Sequence, residues 1–420
     1  MNFIPITERE KEEMLKKIGV DRIGKLFEGV EPKLNRLLNL TPPMSELELK
    51  KHMQDLSKKN KICRYFIGAG AYHHYIPSAV NHILLRSEFY TSYTPYQAEV
   101  SQGMLQAIYE FQTYICLLTG MDVANASVYD GATALAEGIF IAANFTKRNE
   151  IVLLDGIHPH YVETVRTYCN ARDLILKEEI SNSTACVVVQ NPNFYGNIED
   201  LAEIEKKAHA VGALFIVCVV EPTSLALLKP PSEFKVDIVV GEGQSFGNSL
   251  SYGGPNVGFI AVKNELVSKI PGRLCGMTVD TEGRLGFTLT LQAREQHIRR
   301  ERATSNLCTN QALNAVAAAV YLSLLGASGL RKVAMLSYKK AHKLQEKLKE
   351  IGYEPINNKL FYNEFAVKCP SSPKKINKAL LKKNILGGLD LGNNSMLLCC
   401  TEMTSNEDID EFINVLRGLH

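Results

Sequence analysis

The chain carries almost no net charge, with 47 lysines and arginines against 45 aspartates and glutamates in 420 residues. Such a balance supplies no broad field for nucleic acid or an anionic membrane, so small ligands and other proteins are the expected partners. Long apolar runs are missing as well. The longest, ALNAVAAAVYLSLLGA at 312–327, includes Asn314 and Ser323, falls short of the roughly 20 residues a bilayer requires, and reads as a buried helix. The opening MNFIPITEREKEEMLKK has acidic residues where a secretory signal has its apolar core, which argues against export and for a cytoplasmic protein. None of the ten cysteines is paired as C-x-x-C, and Cys399 and Cys400 are adjacent in an apolar run. That spacing fits neither a zinc cage nor a disulfide framework, leaving reduced thiols used mainly for packing and no metal site. The last absence is local. DIVVGEGQSFGNSLSYGGPNVGFIAV, residues 237–262, has the apolar run, glycine-rich turn and second apolar run of a cofactor-carrying segment, yet contains no lysine.

The length allows more than one domain, since single cores seldom grow past about 250 to 300 residues. Thr7-Glu-Arg-Glu10 and Ser45-Glu-Leu-Glu48 match the capping box, in which hydroxyl and carboxylate satisfy the free amides of a helix's first turn. Two helices should therefore open the chain. Pro42 and Pro43 interrupt the segment between them, so residues 1–60 are expected to form a helical arm. From about residue 128, helical GATALAEGIFIAANF, the run IVLLD, a helix after His158, ACVVVQ, LAEIEKKAHAVG, ALFIVCVV and DIVV follow one another. Short β-rich apolar runs alternating with amphipathic helices predict an α/β domain, residues 61–325, with a mostly parallel sheet covered on both faces. A further helix, GLRKVAMLSYKKAHKLQEKLKEIG, then FYNEFAVKC, SPKKINKALLKKN, SMLLCC and NEDIDEFINVLRG predict a small α+β domain over 326–420.

Three constellations stand out. In YDGATALAEG, 129–138, a glycine and Thr133 open a helix whose unpaired amides suit an anion, although any helix can begin this way. His158 follows the run IVLLD at the carboxyl edge of the expected sheet, where ligands of open α/β sheets bind; a hydrogen-bonded loop histidine is the plainer reading. The adjacent His73 and His74 read as loop residues rather than metal ligands, since adjacent side chains diverge and no carboxylate cluster lies near. Asn191-Pro192-Asn193 and Gly196 in VVVQNPNFYGNIED read as a turn.

Taken in order, the helix start at Thr133, His158, NPNFYG, ALFIVCVV and DIVVGEGQSFG resemble the fold type I family of pyridoxal-phosphate (PLP) enzymes. SYTPYQAEVSQGMLQAIYEFQTYICLLTGMDVANASVYDGATALAE and LQAREQHIRRERATSNLCTNQAL are similar to the alpha subunit of two-subunit glycine decarboxylase, the P-protein family, and the resemblance runs essentially end to end. In the catalytic subunit of that family a histidine and the cofactor lysine follow a D-I-V strand, and an aspartate at the end of the preceding strand pairs with the pyridine nitrogen. The resemblance places Gln244 at the histidine, Ser245 at the lysine, Cys218 at the aspartate and His158 at the histidine that stacks on the ring. A serine hydroxyl cannot replace the amine of a Schiff base, and a thiol lacks the carboxylate's charge. Lys235 and Lys263 flank the segment on the wrong side of the turn.

What the resemblance implies is a PLP-transferase-like fold and a chain that is catalytic only with a lysine-bearing beta subunit, which holds PLP while nothing is bound covalently here. The shared site would decarboxylate glycine and pass an aminomethyl group to the lipoyl arm of the H-protein, within an α2β2 heterotetramer. Tyr90, Tyr93 and Tyr96 beside Pro95, and the turn Tyr252-Gly253-Gly254, are candidates to reach that site; a packing role for each tyrosine and a plain turn for the glycines stand beside this reading. His158, Gln244, Ser245 and Thr133 would form a degenerate pocket. Arg299, Arg300 and Arg302 offer guanidinium groups to a carboxylate or to the acidic H-protein, though alternating Arg and Glu fits a solvated helix face better. Two rival readings are a free-standing PLP enzyme using a displaced lysine, and a regulatory pseudoenzyme.

Overall fold

The computed structural model describes residues 6–30 and 40–419; residues 1–5 of the opening segment lie outside them. Met1–Lys61 and Ile62–His420 are separate compact units. In the first, helices Glu8–Ile18 and Glu46–Ser57 begin with the two expected capping boxes. The Thr7 amide donates to Glu10 at 2.7 Å and the Ser45 amide to Glu48 at 2.8 Å. Neither helix buries a residue within this unit, so caps and exposed pairs such as Arg9–Glu13 are what its own atoms supply. Helices this short are marginal on such terms alone.

The second unit is built on a seven-stranded sheet. Its spatial order is Val123–Ala124, Gly258–Val262, Ile238–Glu242, Leu214–Val219, Thr184–Gln190, Glu150–Leu153 and Ile175–Lys177. The five strands from Ile238–Glu242 outward pair in parallel, whereas Gly258–Val262 pairs antiparallel with both of its neighbours. Every residue of Thr184–Gln190, Leu214–Val219 and Ile238–Glu242 is buried, as continuous apolar strands covered on two faces require. Val188, Ile216 and Val240 pack with Leu135 and Ile139 of helix Gly131–Thr146 on one face, and Val187, Phe215 and Val239 with Phe111 and Tyr321 on the other. An antiparallel hairpin, Leu274–Val279 with Leu285–Thr290, adds to the elements expected from the sequence.

The apolar stretch 312–327 lies in helix Ala312–Lys349, the one helix among the described residues long and apolar enough to cross a membrane. It breaks at Gly326, whose φ of 57° and ψ of −175° lie outside the helical region. Before the break Val316, Tyr321 and Leu322 are buried; beyond it Ala341, Leu344 and Leu348 join a second core with Phe365, Ile376 and Phe412. That core lies under a four-stranded antiparallel sheet and helices Pro373–Leu381 and Asn406–Arg417. All ten cysteines are free, and seven are buried.

Candidate functional site

The parallel strands deliver polar side chains to their common carboxyl edge: Gln190 ends one strand, Glu221 follows a second, and Glu242, Gln244 and Ser245 lie at and beyond the end of a third. His158 caps helix Pro159–Asn170 just past a fourth. Gln190 binds the His158 amide at 2.8 Å, which fixes the loop that carries the imidazole.

Ser245, at the lysine position, donates its hydroxyl to Glu221 Oε2 at 2.9 Å. Glu221 also accepts from the amide and hydroxyl of Thr223 and lies 3.3 Å from His74 Nε2. The other nitrogen of His74 meets Glu402 at 2.6 Å, and Glu402 accepts from the Tyr75 amide at 2.7 Å. Burial alone would lower the His74 pKa, but Glu221 and Glu402 outweigh it and raise it to about 10. For Glu402 burial acts upward, and the bond and charge of His74 overcome it, holding that carboxyl below its ordinary range. His74 is thus a loop residue, as expected, with one carboxylate at each ring nitrogen, Glu221 and Glu402, brought from distant parts of the chain. Among the described residues no group of three or more His, Cys, Asp or Glu is arranged to hold a metal ion.

The anion site expected at the helix start is taken by the chain itself. Asp130 accepts from the Thr133 amide at 2.8 Å, and Glu242 accepts from the Gly131 amide at 2.9 Å. Glu242 also receives the amides of Gln244 and Val257. Burial pushes its pKa up to about 7 against these three donors. Cys218, at the aspartate position, is wholly buried beside Glu242, and burial drives its thiol pKa far upward, so it carries no charge.

Residues 68–74 fill the space above this edge. The Tyr72 amide donates to Gln244 at 3.2 Å, and the Tyr72 hydroxyl donates to Glu364 at 2.9 Å. Glu364 also accepts from the Ala69 amide at 2.6 Å, and burial raises its pKa to about 7. A Cβ on Gly70, φ +96°, would lie 2.7 Å from His158 Nε2 and 2.8 Å from its Cδ2. His158 Nε2 lies 2.8 Å from the Ala69 carbonyl, and Nδ1 accepts from the His160 amide at 3.1 Å. Those partners require a neutral ring protonated at Nε2, in line with a pKa lowered by burial. Phe194 meets the ring edge-on at 4.9 Å. His158, Gln244 and Ser245 therefore gather around one volume, but Gly68 to His74 occupy it. Thr133 bonds to Asp130 and faces a separate recess beside Glu137, which corrects its placement in the same pocket.

The remaining candidates lie at the surface. Tyr90, Tyr93 and Tyr96 are 62, 75 and 50 % exposed and Tyr252 is 97 % exposed, so none is a core residue. Pro95 is buried between them, Thr94 accepts from Arg273 at 3.1 Å, and the Arg273 guanidinium lies 5.6 Å from the Tyr96 ring. Four consecutive residues, Ser251 to Gly254, have φ of 41, 57, 111 and 129°, which hold Tyr252 outward. Arg299, Arg300 and Arg302 are exposed, but the expected helix is broken: Gln296–Arg299 is a single turn, Arg300 has φ 53° and ψ −124°, and of these three arginines Arg302 pairs with its neighbour Glu301 rather than across a helical turn. Lys263 binds Asp237 at 2.5 Å and Lys235 lies 3.8 Å from Glu205. Both lie at the opposite end of Ile238–Glu242 from Ser245, roughly 16 Å of strand away. The edge Asn191 to Gly196 is a self-bonded turn, with Asn193 Oδ1 receiving the amides of Tyr195 and Asn197.

A phosphate-bearing pyridine cofactor does not fit this edge. The Gly131 amide already holds a carboxylate, Ser245 offers no amine, and Gly70 covers His158.

Residues 1–416 match the family model described as glycine cleavage system P-protein. The chain is 50 % identical to the probable glycine dehydrogenase (decarboxylating) subunit 1 of Thermomicrobium roseum, with 99 % of each chain covered. It is also similar to a crystal structure of glycine decarboxylase (P-protein) of the glycine cleavage system in inhibitor-bound form, at 42 % identity, TM-score 0.91 and complete coverage of both chains. A more distant likeness, 16 % identity and TM-score 0.62 over 90 % of this chain and 99 % of the other, is to a mutant of C-DES with glycine covalently linked to its PLP cofactor; it shows the fold, that of the PLP enzymes.

Proposed function

Because the chain belongs to the glycine cleavage system P-protein family, we propose that it is the non-lysine subunit of a two-subunit glycine decarboxylase, completing an active site whose PLP is held by a lysine-bearing partner. The observation that carries this reading is the self-filled edge: Ser245 hydrogen-bonds Glu221 and residues 68–74 lie over His158. A chain so closed contributes through its surface. Tyr93, Tyr96 and Tyr252 are exposed on segments fixed from below, by Arg273 and by the turn Ser251 to Gly254. Large phenols held outward suit a subunit boundary, where they line an apolar channel and donate hydrogen bonds. Gly253 and Gly254 let the turn approach the partner closely. The H-protein then takes the aminomethyl group from glycine at this boundary, in an α2β2 assembly in the cytoplasm. Free, mostly buried thiols support that compartment.

The test is exchange of labelled carbon dioxide into the glycine carboxyl, with lipoyl H-protein present. Each subunit alone is expected to be inactive and the mixture active. An unchanged partner rate on adding this chain would reject the reading, and a visible cofactor band from this chain alone would favour the free-standing enzyme.

A further inference from the structure

The recess that takes in Thr133 lies outside the edge just described. Thr133, Glu137 and Phe140 form one stripe of helix Gly131–Thr146. Tyr168 and Arg172 line the recess from helix Pro159–Asn170 and the residues after it, and Asn306 closes one side; the cavity volume is about 390 Å³. Glu137 is 6 % exposed, accepts from the Ser305 hydroxyl at 2.7 Å through Oε1, and has no donor at Oε2. A buried carboxylate oxygen without a donor is costly unless a proton or a cation meets it. Burial raises the Glu137 pKa, with Ser305 and Arg172 acting against it. The Arg172 guanidinium lies over the Phe140 ring at 4.5 Å and makes no hydrogen bond or ion pair among the described residues. A carboxylate with one oxygen lacking a donor and a guanidinium lacking an acceptor thus line one recess with aromatic walls.

We propose that this recess binds a free α-amino acid with an apolar side chain, its ammonium on Glu137 and its carboxylate on Arg172. The ammonium supplies the donors that Glu137 Oε2 lacks. The guanidinium fork matches a carboxylate in two parallel bonds. The rings of Phe140 and Tyr168 take the side chain, and the volume lies within the ordinary range of small-molecule sites. Glycine would leave most of it empty. The inference is independent of the shared active site.

Calorimetric titration of the full chain with L-phenylalanine tests it, alongside phenethylamine and 3-phenylpropanoate, which carry one charged end each. Phenylalanine is expected to bind at least tenfold more tightly than either, and Glu137→Gln and Arg172→Met are each expected to weaken it at least tenfold. Arg172 is only partly buried, so its variant keeps the question open to refutation if Glu137→Gln fails to fold. Absence of binding at millimolar phenylalanine, equal binding of the one-ended analogues, or binding undiminished by Arg172→Met would overturn the proposal. Binding by the free chain that vanishes in the complex with the partner subunit would make the recess a subunit contact and overturn it too.

Discussion

Ser245 is held in a bond that a lysine at the same position would have to break or replace. An ammonium there would meet Glu221, which already faces His74 and receives Thr223, and would pair with it rather than reach toward solvent. Ser245→Lys is therefore expected to leave the chain without a visible cofactor band when PLP is titrated in; the appearance of such a band would show that residues 68–74 yield easily. Glu364 gives a second prediction. Its pKa of about 7 in the folded chain exceeds the ordinary carboxyl value, so the folded state binds more protons than the unfolded between roughly pH 4.5 and 7, and stability falls as pH rises through that window. Glu242, also raised to about 7, adds to the same decline. Glu364→Gln keeps the shape and one acceptor for the Ala69 amide without the charge, its NH2 donating to a turned Tyr72 hydroxyl, and should reduce the fall by about 2 kcal/mol, read from denaturation midpoints at pH 5 and pH 8. Gln244 and Ser245 were legible through the family resemblance, by counting from Asp237 along the strand and turn. Glu221 could have been found by the same logic, being the first carboxylate beyond an apolar strand. Glu364 and Tyr72 could not, because they meet across 292 positions and no local pattern connects them.

At the level of elements, the sequence periodicity located strands and helices because the sheet is buried on both faces and its strands are uninterrupted apolar runs. The capping boxes set the first two helix starts for a similar reason: each is a local, four-residue interaction. The glycine-threonine start at 131–133 shows where that reasoning stops. Local sequence identifies free amides but says nothing of Glu242, which reaches the Gly131 amide from the end of a strand 111 positions away. The run 294–306 shows the converse failure, since alternating charge suggested a helix while Arg300 takes a φ of 53° that ends one. The element most open to a direct check is the segment 68–74. Gly70 has φ +96° and no room for a Cβ against His158, so Gly70→Ala should cost about 1 to 3 kcal/mol from the backbone alone, with the steric clash added. Urea denaturation of the isolated chain measures this, and His158→Ala in the same background should recover the steric part but not the backbone part. A loss below about 0.5 kcal/mol would mean that the segment moves aside at little cost, and that the edge opens.

At the scale of the whole molecule, a closed carboxyl edge and an open set of aromatic side chains assign different work to different parts of the chain. The network of Glu221, His74 and Glu402 ties the end of a strand, a loop and the C-terminal region together, which is a stability role. The exposed Tyr252 has no corresponding burden: at 97 % exposure its ring contributes little to the fold of this chain. The two roles separate under mutation. Tyr252→Ala should leave the thermal midpoint of the isolated chain within about 1 °C, because surface changes away from packed features stay near ±0.5 kcal/mol. In the mixture with the lysine-bearing partner it should lower the glycine exchange rate several-fold, by removing area from the boundary. Tyr93→Phe and Tyr96→Phe keep the ring and delete only the hydroxyl, so a loss in turnover with unchanged assembly would assign hydrogen bonding to those phenols. Weaker assembly without a change in saturated turnover would instead make them contact area. If neither tyrosine loop alters assembly or turnover, the surface that meets the partner lies elsewhere, and the hairpin Leu274–Val279 with Leu285–Thr290, which leaves Met277, Val279 and Leu285 exposed, becomes the next face to mutate.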